Sequence, residues 1–289
     1  MLFDVYGGFV FYDGAIGTML QKSGMRPGER PDILNITAPE TVENVHRMYV
    51  DAGSDIIVTN TFGANANALR ATGYSPSEVI NAAVSIAKRA AGGRAKVALD
   101  IGPLGELLEP VGDLELKNAY DFFKEQAVAG EYAGADFSAI ETMSDLAELG
   151  AAISAVKDNT SLPVLATMTF DRTGCTYLGC TPEELAETAE RLGAAAVGLN
   201  CSLAPEEMYS TAERIAKATS LPLIIKPNAG LPDSRTGLYS IGPEEFARQM
   251  LPFIKLGVKI VGGCCGTTPE YIRELVRVFR NAEITAEKR

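Results

Sequence analysis

Short apolar runs recur along the chain, and each is introduced in one of two ways. Four follow a glycine at the end of a polar-apolar helical stretch: DAGSDIIVTNTF with Gly53, YAGADFSAIET with Gly134, RLGAAAVGLNC with Gly193 and KLGVKIVGGCC with Gly257. Glycine just past a helix accepts the left-handed conformation that closes it. Three more follow a shorter lead, AKVALDIGP, LPVLATMTFD and LPLIIKPNAG, and FVFYDGA near the start makes eight. The runs are rich in Val, Ile and Leu and apolar throughout, the pattern of strands buried on both faces. Helical stretches lie between them. Six open with proline as the first helical residue: Pro39, Pro76, Pro182, Pro205, Pro243 and Pro269. Most are followed by Glu, which suits the positive end of a helix. After Pro39, the residues Val42, Val45, Tyr49 and Ala52 make one apolar stripe.

Eight strands alternating with helices over 289 residues, with no linker, predict a single α/β domain spanning 1–289, a (βα)8 TIM barrel. The alternative, an open doubly wound sheet, normally carries a GxGxxG turn after its first strand, and DGAIGT is not one. The barrel predicts where the chemistry lies, because active sites of such folds sit where the strands end. Those ends read Asp13-Gly14, Asn60-Thr61, Asp100, Glu141-Thr142, Asp171, Asn200-Cys201, Asn228 and Cys264-Cys265.

Composition narrows the partners. A net charge of −11 and the absence of any basic run argue against nucleic acid and anionic membranes. No apolar stretch approaches the ~18 residues of a membrane span, and the start lacks the basic and apolar segments of a signal peptide. Five cysteines, an odd number in a long chain, do not make a disulfide framework. A reducing, cytoplasmic setting is expected, where free thiols hold metals or do chemistry.

Three of the five stand at predicted strand ends: Cys201 after strand six, and Cys264 and Cys265 after strand eight, fenced by Gly262, Gly263 and Gly266. Neighbours on a regular strand point to opposite faces, so both sulfurs can reach one ion only if the glycines let the backbone turn. Three thiolates bind zinc well and leave a fourth position open. When no substrate is bound, water or a nearby side-chain oxygen is expected there, and Asn228, at the end of strand seven, is the candidate side chain. Two other readings of the motif are buried core cysteines and a phosphate-binding glycine loop. The loop holds no Lys or Arg, and Glu270 would repel a phosphate. His46, the single histidine, falls mid-helix beside the apolar stripe and reads as a helix-face residue. Cys175 and Cys180 read as loop residues, with Thr181 capping the next helix in a TPEE box. Lys226 in LIIKPNAG could form a Schiff base, but a rim lysine more often pairs with a carboxylate.

Together DGAIGTML, VTNTFGAN, DIGPLGE, FSAIETMSDLAEL, MTFD, GLNCSLAPEE, KPNAGLP and GGCCGTTPE resemble the homocysteine S-methyltransferases, from about residue 12 to about 280. That family includes betaine- and S-methylmethionine-using enzymes. VTNTFGAN and PNAG are most similar to its cobalamin-dependent branch, in which a homocysteine-binding barrel precedes folate and cobalamin modules. The resemblance implies methyl transfer to homocysteine at zinc, with methylcobalamin as donor on a cobalamin-binding module or corrinoid protein. Glu141 and Asp13 are the implied partners of the substrate ammonium. The backbone amides of Gly14 and Ala15 are those of its carboxylate, and Asn60 is a further binding residue. The sequence stops at ITAEKR, which fits either one module of such an enzyme or a separate protein whose donor sits elsewhere. A zinc-thiolate barrel without turnover is the non-enzymatic alternative.

Overall fold

The computed structural model of the chain describes Phe3 and residues 8–26, 28–233 and 235–287. Eight strands form one parallel sheet: β1 (Val10–Phe11), β2 (Ile56–Val58), β3 (Lys96–Ile101), β4 (Phe137–Met143), β5 (Val164–Met168), β6 (Ala196–Asn200), β7 (Leu223–Lys226) and β8 (Val258–Val261). Their order is β1-β8-β7-β6-β5-β4-β3-β2. The ring closes between its end members. The Asp55 amide donates to the Phe11 carbonyl at 2.7 Å and the Asp13 amide to the Ile56 carbonyl at 3.1 Å. A sheet whose first and last strands meet is a barrel, so the open alternative is set aside.

Eleven α-helices are described around it: α1 (Ile16–Lys22), α2 (Leu34–Thr37), α3 (Pro39–Ala52), α4 (Ala66–Leu69), α5 (Pro76–Ala91), α6 (Leu116–Tyr132), α7 (Leu146–Asn159), α8 (Pro182–Arg191), α9 (Pro205–Ala218), α10 (Pro243–Met250) and α11 (Pro269–Glu287). All six expected prolines open helices. Ser75 with Glu78, and Thr181 with Glu184, close reciprocal capping boxes at α5 and α8. Gly53 ends α3 at φ 106°. Among the described residues no helix is long and apolar enough to cross a membrane.

The stripe of α3 is buried as its spacing predicts, but His46 departs from the expectation. It is fully buried, and both ring nitrogens lack a hydrogen-bond partner among the described residues. Helices α1, α2, α5 and α11 all pack on α3, so its buried arc is wider than one stripe. Burial holds the imidazole neutral, its pKa lowered to about 4 from 6.5, against a small opposing pull from Glu43. The unfolded chain therefore binds a proton that the folded chain refuses once the pH falls below 6.5, and stability drops on acidification. In a comparison of wild type with His46→Leu, the stability difference should move by about 2 kcal/mol against wild type between about pH 7.5 and about pH 5. Urea unfolding at the two pH values measures it, and an unchanged difference would show that His46 takes up its proton as readily in the folded as in the unfolded chain.

Candidate active site and metal centre

The C-terminal ends of the strands enclose a cavity of about 270 Å3. It brings together Gly14, Ala15, Asn60, Asp100, Glu141, Lys226, Cys201, Cys264 and Cys265. Of the expected residues, Asp13 and Asn228 do not line it; both are buried beside it. An open groove of about 780 Å3 between α6, α7 and α8 is larger, but it lies in the outer helical layer with mainly apolar walls and none of these residues.

The three cysteines meet as expected. Their sulfurs all lie within 4.8 Å of one another, with Cys201 Sγ 3.9 Å from Cys265 Sγ. The glycine fence works differently from the expectation. Only Gly266 of the three has a positive φ, at 84°. A Cβ on Gly262 would fall 2.6 Å from Tyr12 Cβ, and one on Gly263 2.3 Å from Thr267 Oγ1, so these two are glycines for close packing. The left-handed backbone falls instead on Cys201 (φ 62°) and Ser202 (φ 60°), with Thr142 (φ 62°) across the cavity. Non-glycine residues held there cost about 1–3 kcal/mol each and persist only where the surroundings impose them. The Cys201 amide is tied to the Lys226 carbonyl at 3.0 Å, and the Cys264 amide to the Pro227 carbonyl at 2.8 Å.

The sulfurs titrate as a unit. Hydrogen bonds from Cys264 and Cys265 lower the Cys201 thiol to about 3. The contacts with Cys201 and Cys265, with burial, push Cys264 well up, and the contact with Cys201, with burial, pushes Cys265 to about 11 against the opposing pull of Cys264. The three thiols share protons through these contacts, and a soft cation bound by their sulfurs would displace protons. The separations suit zinc, since Zn–S bonds of ~2.3 Å in a tetrahedron put sulfurs about 3.8 Å apart. Asn228 contacts Cys201 through its side chain, while its Oδ1 is buried with no partner. An orphaned hard acceptor beside three soft ones fits a metal whose remaining position is open. Cys175 and Cys180 belong to the loop between β5 and α8 and are not in the cluster.

Opposite the sulfurs lies a polar floor. Lys226 Nζ donates to Glu141 Oε2 at 2.5 Å and sits 4.5 Å from the centre of the Tyr12 ring. Lysine 226 is thus the ion-pair partner expected of a rim lysine. Burial opposes its charge, but Glu141, Tyr12 and Asp13 outweigh that and hold it protonated. Asp13 Oδ2 accepts from the Val58 amide at 2.8 Å, which makes it a cross-strand brace, and its Oδ1 has no partner. Burial raises Asp13 to about 7, with Lys226 and the Val58 amide pulling it down. Burial and then Glu141 raise Asp100 well above the usual carboxylate range. The Ala15 amide donates to the Thr267 carbonyl at 3.0 Å, so of the two expected carboxylate donors only Gly14 keeps its amide without a partner among the described residues. Asn60 is held by the loop after α1, donating to the Pro31 carbonyl at 2.5 Å. Lysine pairing with Glu141 was foreshadowed only by residue type, and the part of Asp100 only by its place at a strand end.

The protein is a (βα)8 barrel whose strand ends bring together three thiols that could hold a metal ion and a carboxylate-rich floor. The homocysteine S-methyltransferase family model matches residues 10–279, and the chain belongs to that family. The methionine synthase of Mycobacterium leprae (strain TN) is 33% identical over 285 residues, covering 91% of this chain and 24% of the relative. That of Mycobacterium tuberculosis (strain ATCC 25618 / H37Rv) is 33% identical over 291 residues, covering 93% and 24%. The chain therefore spans about a quarter of the length of these relatives. The metallated form of the homocysteine methyltransferase MmuM from Escherichia coli superposes with a TM-score of 0.80 at 22% identity, over 92% of this chain and 95% of that one. This last likeness is one of fold.

Proposed function

We propose that the chain transfers a methyl group to the thiol of homocysteine, giving methionine, with zinc held by Cys201, Cys264 and Cys265. The observation that carries this is the placement of three thiols and an amino-acid-sized polar floor on one cavity of about 270 Å3. Family membership supports the substrate. A bound zinc would supply the Lewis acid that keeps the substrate thiol, near pKa 8.5 when free, ionised at neutral pH.

The residues of the chain then have distinct tasks. Glu141 accepts from the substrate ammonium, Asp13 supports that floor from behind as the brace to the Val58 amide, and the Gly14 amide donates to the substrate carboxylate. Asn228 Oδ1, buried and without a partner among the described residues, would offer an oxygen ligand to a bound zinc when no substrate is present. Asn60 fixes the cavity wall beside Phe62. The nucleophile is generated by ionisation before transfer, so no general base is needed in the methyl-transfer step. His46, buried in α3, does not line the cavity.

For the donor we propose methylcobalamin on a separate module or corrinoid protein. Similarity of VTNTFGAN and PNAG to the cobalamin branch supports it, as do relatives four times longer than this chain. The isolated chain should form methionine slowly from free methylcobalamin, because the reactants must meet by diffusion without the effective concentration of a docked donor. Methyltetrahydrofolate alone should give none, its leaving amine being poor without activation. Methionine formation from each donor is the assay. Brisk turnover with a betaine or sulfonium donor, and none with methylcobalamin, would move the chain to another branch. No transfer from any donor, with homocysteine bound, would leave a binding barrel.

A further inference from the structure

Asn200, the last residue of β6, is fully buried and its side chain is fixed at both ends. Its Oδ1 accepts from the Thr142 amide at 2.9 Å and from Thr167 Oγ1 at 2.8 Å. Its Nδ2 donates to Thr142 Oγ1 at 2.7 Å and to Cys264 Sγ at 4.0 Å, a long hydrogen bond to a large acceptor. The amide cannot be turned over. Reversed, its NH2 would face the Thr142 N–H, donor against donor, and its oxygen would face the sulfur. The left-handed backbone of Thr142, at φ 62°, belongs to this arrangement, because it is the Thr142 amide that holds the Asn200 oxygen. Backbone strain of this kind persists where the surroundings impose it, and it points to function. Asn200 does not line the cavity, so its NH2 meets the sulfur from behind the wall.

The other two sulfurs also meet donors of the chain. The Ser202 amide and the Asn228 side chain bond Cys201. The Tyr239 hydroxyl bonds Cys265, and its ring lies so close over Gly266 that a Cβ there would fall 2.3 Å from it. A hydrogen bond to a thiolate stabilises the charge that would attack an electrophile, so it lowers the nucleophilicity of that sulfur. A methyltransferase whose metal site is built of thiolates has to direct the methyl group to the substrate sulfur and away from its own.

We propose that Asn200 is a positioning residue whose NH2 keeps Cys264 from taking the methyl group in place of the substrate. This rests on the methyl-transfer reading above and adds how the site spares its own thiolates. In the reaction prevented, a lone pair of Cys264 Sγ forms the S–CH3 bond. The bond from the methyl carbon to its leaving group breaks, with both electrons going to the leaving group. The product is a neutral thioether, which no longer serves as a thiolate ligand. The Asn200 donor stabilises the starting thiolate and loses its charged partner as the S–CH3 bond forms, so it raises the barrier at Cys264.

The test treats the zinc-loaded protein, without homocysteine, with iodomethane, iodide being the leaving group, and maps S-methylcysteine by peptide mass spectrometry. Asn200→Leu keeps the branching of the side chain and removes the donor. In that variant, methylation of Cys264 relative to Cys201 and Cys265 should rise about 3- to 10-fold over wild type. Asn200→Val, suited to a strand, carries the same expectation should the leucine fail to fold, and zinc content and a thermal melt qualify each preparation. The ratio is the readout because a loosened site would expose all three sulfurs alike. An equal rise at all three would assign Asn200 a structural role, and an unchanged ratio would show that it does not restrain Cys264; either overturns the proposal. The mapping uses no homocysteine, so its failure is distinct from failure of the methyl-transfer reading, which would show as no methionine from any donor.

Discussion

Cys265→Ser should abolish tight zinc binding and leave the barrel folded. Serine is nearly the same size, but its hydroxyl is a poor, protonated ligand where a thiolate stood. Loss of one of three ligands should weaken the metal by more than the ~10- to 100-fold that follows loss of a mere supporting residue. The fold should survive because the contacts around Cys265 that order the chain are backbone ones. The Ala229 amide donates to the Cys265 carbonyl at 3.0 Å, and the neighbouring Cys264 amide to the Pro227 carbonyl. Neither involves a sulfur. The half-buried thiol is not among the tightly buried side chains of the barrel core. Metal content after exhaustive dialysis, read beside a thermal melt, decides the matter. Full zinc occupancy in the variant would remove Cys265 from the metal site.

Most of the architecture was legible because it is locally encoded. Glycine after a helix, proline at its first turn and a run of Val, Ile and Leu are each signals within a dozen residues, and their alternation is enough to close a barrel. The three cysteines were legible for a related reason: the fold itself gathers strand ends at one rim, so residues far apart in sequence become neighbours without any pairwise signal. What stayed hidden depends on which neighbour faces which. Lys226 and Glu141 lie 85 residues apart, and nothing in LIIKPNAG or AIETMSD says they pair. The Ala15 amide is taken by Thr267 from the other end of the chain, a contact that exists only because β8 closes on β1. The packing roles of Gly262 and Gly263 were invisible for the same reason, since both are set by side chains of Tyr12 and Thr267. His46 illustrates a different limit. Helical periodicity gives the direction of the buried face but not its width, which depends on how many helices cover it.

Glu141→Gln should weaken homocysteine binding strongly while zinc stays bound, and the structure makes the experiment richer than a single substitution. Glu141 is the anionic partner of Lys226, whose side chain is 4% exposed against 12% for the glutamate. Removing the negative charge has two consequences that must be separated. The substrate ammonium loses its counter-charge, and removing one member of a buried charge pair typically costs about 2–5 kcal/mol, or roughly 30-fold and upward in affinity. Lys226 also loses its counter-charge, and a buried cation left unpaired destabilises the fold by about 3–5 kcal/mol. A drop in melting temperature with weaker binding could therefore reflect damage to the barrel alone. The double variant Glu141→Gln, Lys226→Met resolves this. Methionine fills the space of the lysine stem without its charge, so much of the lost stability should return. The affinity for homocysteine should not, because the negative charge that pairs with its ammonium is still missing. Recovery of both would mean that Glu141 serves only to neutralise Lys226. A loss of affinity under about threefold in the single variant would lead to the same conclusion. Zinc content in both variants should match wild type, since neither side chain is among the three sulfurs of the cluster.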